Sequence, residues 1–253
     1  MIAPAEVIAL RDRGALFVLS HSAGKDSQAM TAVVRAIIPD DQLLVVHADL
    51  GEVEWEGNLE HIRATTAGLD MVVAKPATGF FDMVERRGMF PSPSQRQCTS
   101  DLKRTPIDRE VRRYLAANPR FGGQVVMCMG MRAQESTGRA KLATFKRSNR
   151  NSKAGREWFD WLPIHDMTAD QVFATIAANG QTPHWAYAAG MSRLSCCFCI
   201  MASREDLTTA ARLKPDLYAR YVEIERRTGF TLSMTRRPLT ELTGVQVDQA
   251  AAS

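Results

Sequence analysis

Ser20-His21-Ser22-Ala23-Gly24-Lys25-Asp26-Ser27 joins an apolar run, Leu16 to Leu19, to a stretch with helical spacing. Small residues running into the start of a helix offer backbone N–H groups and a favourable dipole to an anion. Lys25 adds a positive charge, and Ser22 and Ser27 add hydroxyl donors. The chemistry such a loop serves is the gripping of phosphate. A second set of chemically capable residues is the five cysteines, Cys98, Cys128, Cys196, Cys197 and Cys199, of which Cys196-x-x-Cys199 has the spacing of a ligand or redox pair.

The kind of phosphate loop can be narrowed by what is missing. A Walker A loop needs Gly where Leu19 stands and Ser or Thr where Asp26 stands. A dinucleotide fingerprint needs three spaced glycines, and only Gly24 is present. Ser22-x-Gly24-Lys25-Asp26-Ser27 instead resembles the pyrophosphate loop of the ATP pyrophosphatase (PP-loop) superfamily. Its members cut ATP between the α and β phosphates or hold an adenylyl sulfate in the same way. The resemblance makes Ser20 and Ser22 through Ser27 the expected phosphate-binding residues, with Lys25, Asp26, Arg132 and Glu135 as catalytic candidates. One position departs: Ala23 replaces the motif's usual first Gly. A Cβ disfavours positive φ, so the backbone there is expected to stay in ordinary regions.

Three further segments sharpen the resemblance to the phosphoadenosine phosphosulfate reductase-like branch. His47-Ala48-Asp49-Leu50-Gly51 matches an Asp-containing segment near the nucleotide. Gln97-Cys98-Thr99-Ser100-Asp101-Leu102-Lys103 looks like its Cys-Thr-x-x-Leu-Lys segment, and Gly130-Met131-Arg132-Ala133-Gln134-Glu135-Ser136 with Arg139 looks like its Gly-x-Arg-x-x-Glu-Ser-x-x-Arg segment. Trp161-Leu162-Pro163-Ile164 also fits, and the likeness covers about residues 15 to 200. It implies that Asp49, Lys103, Gly130, Arg132 and Arg139 bind nucleotide. Arg132 and Arg139 have forks suited to phosphate or sulfate oxygens. Glu135 would orient such a fork or help hold Mg²⁺ between phosphates, and its plainer reading is a surface salt bridge. Asp26 faces the same choice and is read as a brace of the loop.

For the cysteines, zinc would want four ligands, with Cys197 and His184 completing a set with Cys196 and Cys199. A redox dithiol is the other general reading. The resemblance favours a [4Fe–4S] cluster on Cys98, Cys196 and Cys199, with Cys197 as a candidate fourth ligand, since such clusters are held by thiolates. This is how the sulfurtransferases of bacterial DNA phosphorothioation and some adenylyl sulfate reductases use comparable cysteines. Cys128 lies in an apolar run and reads as core.

Two enzyme readings then share one fold. A thiol-dependent sulfonucleotide reductase attacks sulfate sulfur with a cysteine on its C-terminal tail, and the 54 residues after Cys199 contain none. The expected activity is therefore that of an ATP pyrophosphatase that adenylylates an oxygen so that sulfur can replace it. The nearest named match is the sulfurtransferase subunit of DNA phosphorothioation, which implies a cysteine desulfurase and other subunits as partners and allows a homodimer. Residues 132–156 hold eight basic residues against one acidic. Lys146, Arg147, Arg150 and Lys153 in that stretch are candidate DNA contacts, or else a solvated loop that serves ATP or a partner protein. A chain that kept the fold and lost catalysis would be a nucleotide sensor or a nucleic-acid-binding subunit.

These residues need a scaffold. Leu16 to Leu19, Leu43 to Val46, Met71 to Ala74, Gln124 to Met129 and Trp158 to Trp161 read as strands. Helices are expected over about 27–38, 58–67, 106–117, 168–178, 203–213 and 215–228. Thr168 and Gln171 are spaced as a capping box. Alternation of this kind predicts an α/β fold: a doubly wound, mostly parallel sheet, of the adenine nucleotide alpha hydrolase-like type by resemblance. The expected division is a nucleotide-binding domain over 1–165 and a mainly helical region over 166–253 that carries the CxxC. The tail after Gly244 is expected to fray.

Composition sets the outer limits. The chain has 253 residues, with 45% hydrophobic and 24% charged, which excludes a disordered or low-complexity chain. A net charge of +4 permits an anionic partner without requiring one. No apolar run reaches about 18 residues, so no membrane span is expected. Charged residues interrupt the first 19 positions and spoil a signal-peptide reading, so a cytoplasmic location with reduced thiols is expected.

Overall fold

The computed structural model describes residues 3–247. The expectation about the tail beyond Val247 lies outside the described residues. One sheet of six strands runs in the order β3-β2-β1-β4-β6-β5. The strands are β1 Leu16–Ser20, β2 Leu43–Ala48, β3 Asp70–Ala74, β4 Gln124–Met129, β5 Phe145–Arg147 and β6 Glu157–Trp161. β1 pairs in parallel with β2 and β4, and β4 pairs in parallel with β6, while β5 closes the edge antiparallel to β6. This is the expected doubly wound α/β sheet, with β5 as a strand that no periodicity in residues 132–156 announced.

The sequence explains why the central strands are buried on both faces. Leu16, Val18, Leu44, Val46, Val125, Met127 and Trp158 form one face and pack with Val111 and Leu115 of the helix Thr105–Ala117. The alternate residues Phe17, Leu19, Val45, Val126 and Cys128 are just as buried. On that side the helix Lys25–Arg35 packs on β1 and β4, and the helix Ala169–Ala178 packs on Lys25–Arg35 in turn. Strands covered on both faces read as continuous apolar runs rather than alternating ones, which is why these were visible from sequence. Thr168 caps its helix through the expected box with Gln171.

The chain divides into two compact units, and neither follows a cut at residue 165. One takes the chain up to His47, Gly57–Ala74 and Ile107–His184. The other takes Ala48–Glu56, Lys75–Pro106 and the chain from Trp185 onward. The expected boundary at 165/166 treated each domain as one continuous segment. In the structure the helix Ala169–Ala178 belongs with the sheet, and two excursions from between strands belong with the C-terminal helices.

The second unit contains the helices Phe80–Arg87, Arg204–Leu213, Pro215–Thr228 and Leu239–Thr243. Phe80, Phe81, Phe90, Phe198, Tyr218 and Tyr221 make an aromatic core there, with ring centroids between 4.9 and 6.4 Å apart in successive contacts. Ser203 caps Arg204–Leu213 by accepting from the Asp206 N–H. Glu225 accepts N–H groups from Leu232 and Leu239 and so fixes the turn before the last helix.

Candidate functional site

In the sheet unit, chain order reverses between β1 and β4, and such switch points are where open α/β sheets bind ligands. Ser20 of β1 lies opposite Met129 of β4, so the loop 20–27 and the segment 130–139 leave the sheet side by side. Gly130 lets them touch. A Cβ there would sit 2.8 Å from the Asp26 carbonyl carbon and oxygen and 2.9 Å from the Ser27 nitrogen. Those are backbone atoms that cannot move aside, so only glycine fits.

Side chains lock the same contact. Arg132 is 5% exposed and donates from Nε to Asp26 Oδ1 at 2.6 Å. Its Nη1 donates to Gln134 Oε1 at 2.7 Å and lies 3.4 Å from the Met167 carbonyl. Asp26 also receives Lys25 Nζ at 3.3 Å, and Lys25 lies 5.9 Å from the centre of the Phe173 ring. Glu135 accepts the Arg132 backbone N–H at 2.8 Å and pairs with Arg139. Three cations thus face two carboxylates, leaving one positive charge beside the loop. His165 links Arg139 and Asp166, and the Arg139 carbonyl it meets holds its pKa above the ordinary histidine value.

The loop itself departs from expectation at Ala23. Its φ is +61°, the left-handed region, not the ordinary conformation that a Cβ predicts. The residue is completely buried. Its N–H donates to His21 Nδ1 at 3.1 Å, while Ser22 N–H donates to Ser27 Oγ and Ser27 Oγ donates to the Gly24 carbonyl at 2.8 Å. The first helical bond runs from Gln28 N–H to the Gly24 carbonyl. The amides preceding it, at Lys25, Asp26 and Ser27, form the positive end of the helix dipole.

Nothing in the motif pointed to the histidines behind the loop. His21 is 2% exposed, and burial, with His47 and His61 nearby, lowers its pKa to about 3. His47 Nδ1 donates to the His21 carbonyl, and His61 Nε2 donates to Gln28 Oε1. Gln28 in turn donates to Gln181 and to the Thr182 carbonyl. The signal available in the sequence was position alone, since His21 directly precedes the small-residue loop.

Asp49, Lys103 and the cysteine trio belong to the other unit. Asp49 accepts the Gly51 N–H at 2.9 Å and lies 3.9 Å from Lys75 Nζ. Lys103 stands among Cys98, Cys196 and Cys199, and the Cys196 sulfur chiefly raises its pKa. Burial pushes the Cys196 thiol up to about 11 against the pull of Lys103, and the Cys98 thiol up as well. Cys197 is fully buried, donates its backbone N–H to the Val53 carbonyl, and has a thiol raised to about 12 by burial. Cys128 is buried in β4, as expected of core. His184, the alternative zinc ligand, belongs to the sheet unit and packs edge-on against His61 at 5.2 Å.

The donor set of the trio suits an iron–sulfur cluster in one respect and falls short in another. Among the described residues no three His, Cys, Asp or Glu side chains stand together in metal-holding geometry. Yet the Tyr221 hydroxyl is buried without a hydrogen-bond partner among the described residues, in the field of Cys196, Cys197, Cys199 and Cys98. A sulfur-bearing group beside it would supply the missing acceptor. For Mg²⁺ the fit is poorer, since Asp26 and Glu135 are both committed to Lys25, Arg132 and Arg139.

Of the four basic candidates, Arg150 pairs with Asp108, which is 4% exposed. Lys146 and Arg147 are exposed on the edge strand β5, and Lys153 is exposed in the turn beyond it. Phe145, among them, stacks on Phe159 at 5.4 Å rather than facing solvent alone.

Residues 16–202 match the phosphoadenosine phosphosulfate reductase domain. The chain belongs to that family. An uncharacterised protein of Methanocaldococcus jannaschii is 27% identical over 215 residues, covering 83% of this chain and 48% of the relative. An uncharacterised 37.8 kDa protein of Escherichia phage 186 is 31% identical over 147 residues, covering 58% of this chain and 42% of the relative. The chain thus spans half or less of the length of these curated relatives. Among solved structures, a phosphoadenylyl-sulfate reductase of Candida auris in a phosphate complex aligns at TM-score 0.46 and 12% identity, over 78% of this chain and 97% of the other. A Candida glabrata FMN adenylyltransferase with FAD and inorganic pyrophosphate aligns at 0.46 and 11%, over 72% and 55%. The helices of this phosphoadenosine phosphosulfate reductase domain protein include none, among the described residues, long and apolar enough to cross a membrane.

Proposed function

We propose that this member of the phosphoadenosine phosphosulfate reductase domain family is an ATP pyrophosphatase that activates an acceptor oxygen for replacement by sulfur. The observation that carries the reading is the switch-point loop locked to segment 130–139 through Gly130 and the Asp26–Arg132 pair, with one positive charge in excess. A triphosphate would lie against the amides at the start of the helix Lys25–Arg35, with Lys25 and Arg139 toward its oxygens. Arg132, Asp26 and Glu135 act as braces that hold those cations in place, and Mg²⁺ arrives with the nucleotide.

With a sulfide-level nucleophile the reaction balances without an oxidant or reductant, and sulfur delivered as a persulfide needs a thiol to split its S–S bond. The acceptor oxygen forms a bond to the α phosphorus, the bridge between α and β phosphates breaks, and pyrophosphate leaves with the bonding pair. A sulfur nucleophile then displaces AMP together with the acceptor's oxygen. Fixed positive charge near the departing pyrophosphate stabilises charge that develops in the transition state. Mass balance on ATP tests this: AMP with pyrophosphate supports it, and ADP with phosphate, or no turnover with any acceptor, refutes it.

Cys98, Cys196 and Cys199 would hold a [4Fe–4S] cluster, which supplies a site for sulfur or electrons when bound. Protein purified without oxygen should be brown and carry about four irons, and Cys98→Ala should lose both. One zinc per colourless chain would rule the cluster out. Sulfur supplied by a cysteine desulfurase, and DNA as the final acceptor in a phosphorothioation system, complete this reading. Lys146, Arg147 and Lys153 support it as an exposed basic edge, with Arg150 anchoring the turn on Asp108. DNA affinity should then fall with salt and fall further when those three lysine and arginine charges are removed.

The family match itself favours one other reading, a sulfonucleotide reductase, which would release sulfite from an adenylyl sulfate and leave ATP untouched.

A further inference from the structure

The strained residue in the phosphate loop has a partner built for it. Alanine in the left-handed region is disfavoured relative to ordinary backbone, and strain of this kind persists only where surrounding structure over-determines it. At Ala23 the N–H points inward to His21 Nδ1 at 3.1 Å, and both groups are buried. For His21 to accept there, its proton must sit on Nε2. That nitrogen is buried and has no hydrogen-bond partner among the described residues. The imidazole is therefore oriented by what its other face does.

The ring has little freedom to do otherwise. His21 N–H donates to the Val46 carbonyl at 2.9 Å, and the His21 carbonyl accepts from His47 Nδ1 at 3.0 Å. Both backbone groups are thus tied to β2. Ser27 Oγ lies 3.4 Å from the same Nδ1, but its proton goes to the Gly24 carbonyl at 2.8 Å. Ser27 presents no competing donor, so Ala23 N–H has this acceptor to itself. The acidic side of the titration does not disturb it, since the ring stays neutral down to about pH 3.

We infer that His21 is a positioning residue of the phosphate loop: its neutral Nδ1 holds the Ala23 amide and so lets alanine occupy the left-handed conformation that shapes the loop. The inference rests on the phosphate-binding reading of that loop. A glycine at position 23 would adopt the same φ without the brace, so the histidine and the alanine form a compensating pair. His21→Ala should loosen the loop, and Ala23→Gly should make His21 dispensable.

The test is ATP binding by calorimetry, together with thermal unfolding, on the whole chain and four variants. His21→Ala is expected to bind ATP about tenfold more weakly, the ratio that corresponds to 1.4 kcal/mol. His21→Asn offers a side-chain acceptor in nearly the same place and should restore affinity to within about threefold of the parent. The double variant His21→Ala/Ala23→Gly should bind ATP more tightly than His21→Ala does, with Ala23→Gly measured as the remaining corner of the cycle. Equal weakness of His21→Ala and the double variant would overturn the inference, as would full affinity of His21→Ala. A parent chain that binds no ATP would instead overturn the functional reading. Coupling between positions 21 and 23 in thermal unfolding, which needs no ligand, would then still decide for or against the brace.

Discussion

The switch-point loop and the cysteine-bearing unit both concentrate chemistry, and they differ in how far that chemistry is satisfied from within. Around the loop, each charged side chain has its counterpart: Asp26 with Lys25 and Arg132, Glu135 with Arg139. The polar groups of residues 21–28 bond largely to one another, with His21 Nε2 buried and without a partner among the described residues. In the other unit burial pushes the Cys98, Cys196 and Cys197 thiols up, Lys103 stands beside Cys98 and Cys196 as a cation, and the Tyr221 hydroxyl has no hydrogen-bond partner among the described residues. Charges already paired and loop amides already held leave little rearrangement for a ligand to cause. A buried hydroxyl left unpaired among thiols calls for an acceptor.

The largest effect that would break this contrast is at Arg132. Replacing it by Met leaves Asp26, whose side chain is 18% exposed, with Lys25 as its one remaining partner in the pair. Removing one member of a buried pair costs about 3 kcal/mol at the low end of the range, read as a shifted midpoint in urea unfolding. A loss below about 1 kcal/mol would mean the pair behaves as a surface bridge. Gly130→Ala comes next. Its Cβ meets backbone at 2.8 Å, and the relief must come from separating the loop and segment 130–139. Overpacking of this sort costs about 1–3 kcal/mol, and ATP affinity should fall about thirtyfold. Unchanged affinity would show that the two segments do not act as one site.

What the sequence disclosed and what it hid follow from range. The loop, the strands and the helix caps are local: their apolar runs, small residues and Thr168–Gln171 spacing can be read within ten positions. The closeness of Gly130 to Asp26 spans more than a hundred positions and was visible through family resemblance alone. The division into units was illegible because Ala48–Glu56 and Lys75–Pro106 leave the sheet and return to it. Ala23 misled because the rule about Cβ atoms and positive φ is a cost, and a cost can be offset by a partner such as His21 that no spacing rule names. Of the basic run, charge was legible, but not that buried Asp108 would take Arg150 out of it.

Acid sharpens the comparison from the side of the loop. His21 takes up its proton near pH 6.5 when unfolded but near 3 when folded. Between those values the unfolded state holds the extra proton, so stability falls as pH is lowered, by about 1.4 kcal/mol per pH unit. His61, lowered by burial, adds in the same direction, and His165, raised, acts oppositely. His21→Asn should remove one histidine's share of the slope between pH 6 and 4.5, measured as the difference between the two unfolding curves. Parallel curves would place His21 in water rather than behind the loop.

The smallest effect tests the other side. An unpaired buried hydroxyl costs about 1–3 kcal/mol, whereas an apolar replacement of the same shape is nearly neutral or better. Tyr221 is fully enclosed by Phe81, Phe90 and Phe198, so phenylalanine fits its place without a cavity. In chain stripped of iron, Tyr221→Phe should therefore raise the thermal midpoint by a few degrees, about 1 kcal/mol in a chain of this length. In chain holding a sulfur group beside the hydroxyl, the same change should give no gain, because the hydroxyl then has its acceptor. A gain that is identical with and without iron would mean that the hydroxyl is left unpaired in both states, and the cysteine-bearing unit would no longer read as a site awaiting completion.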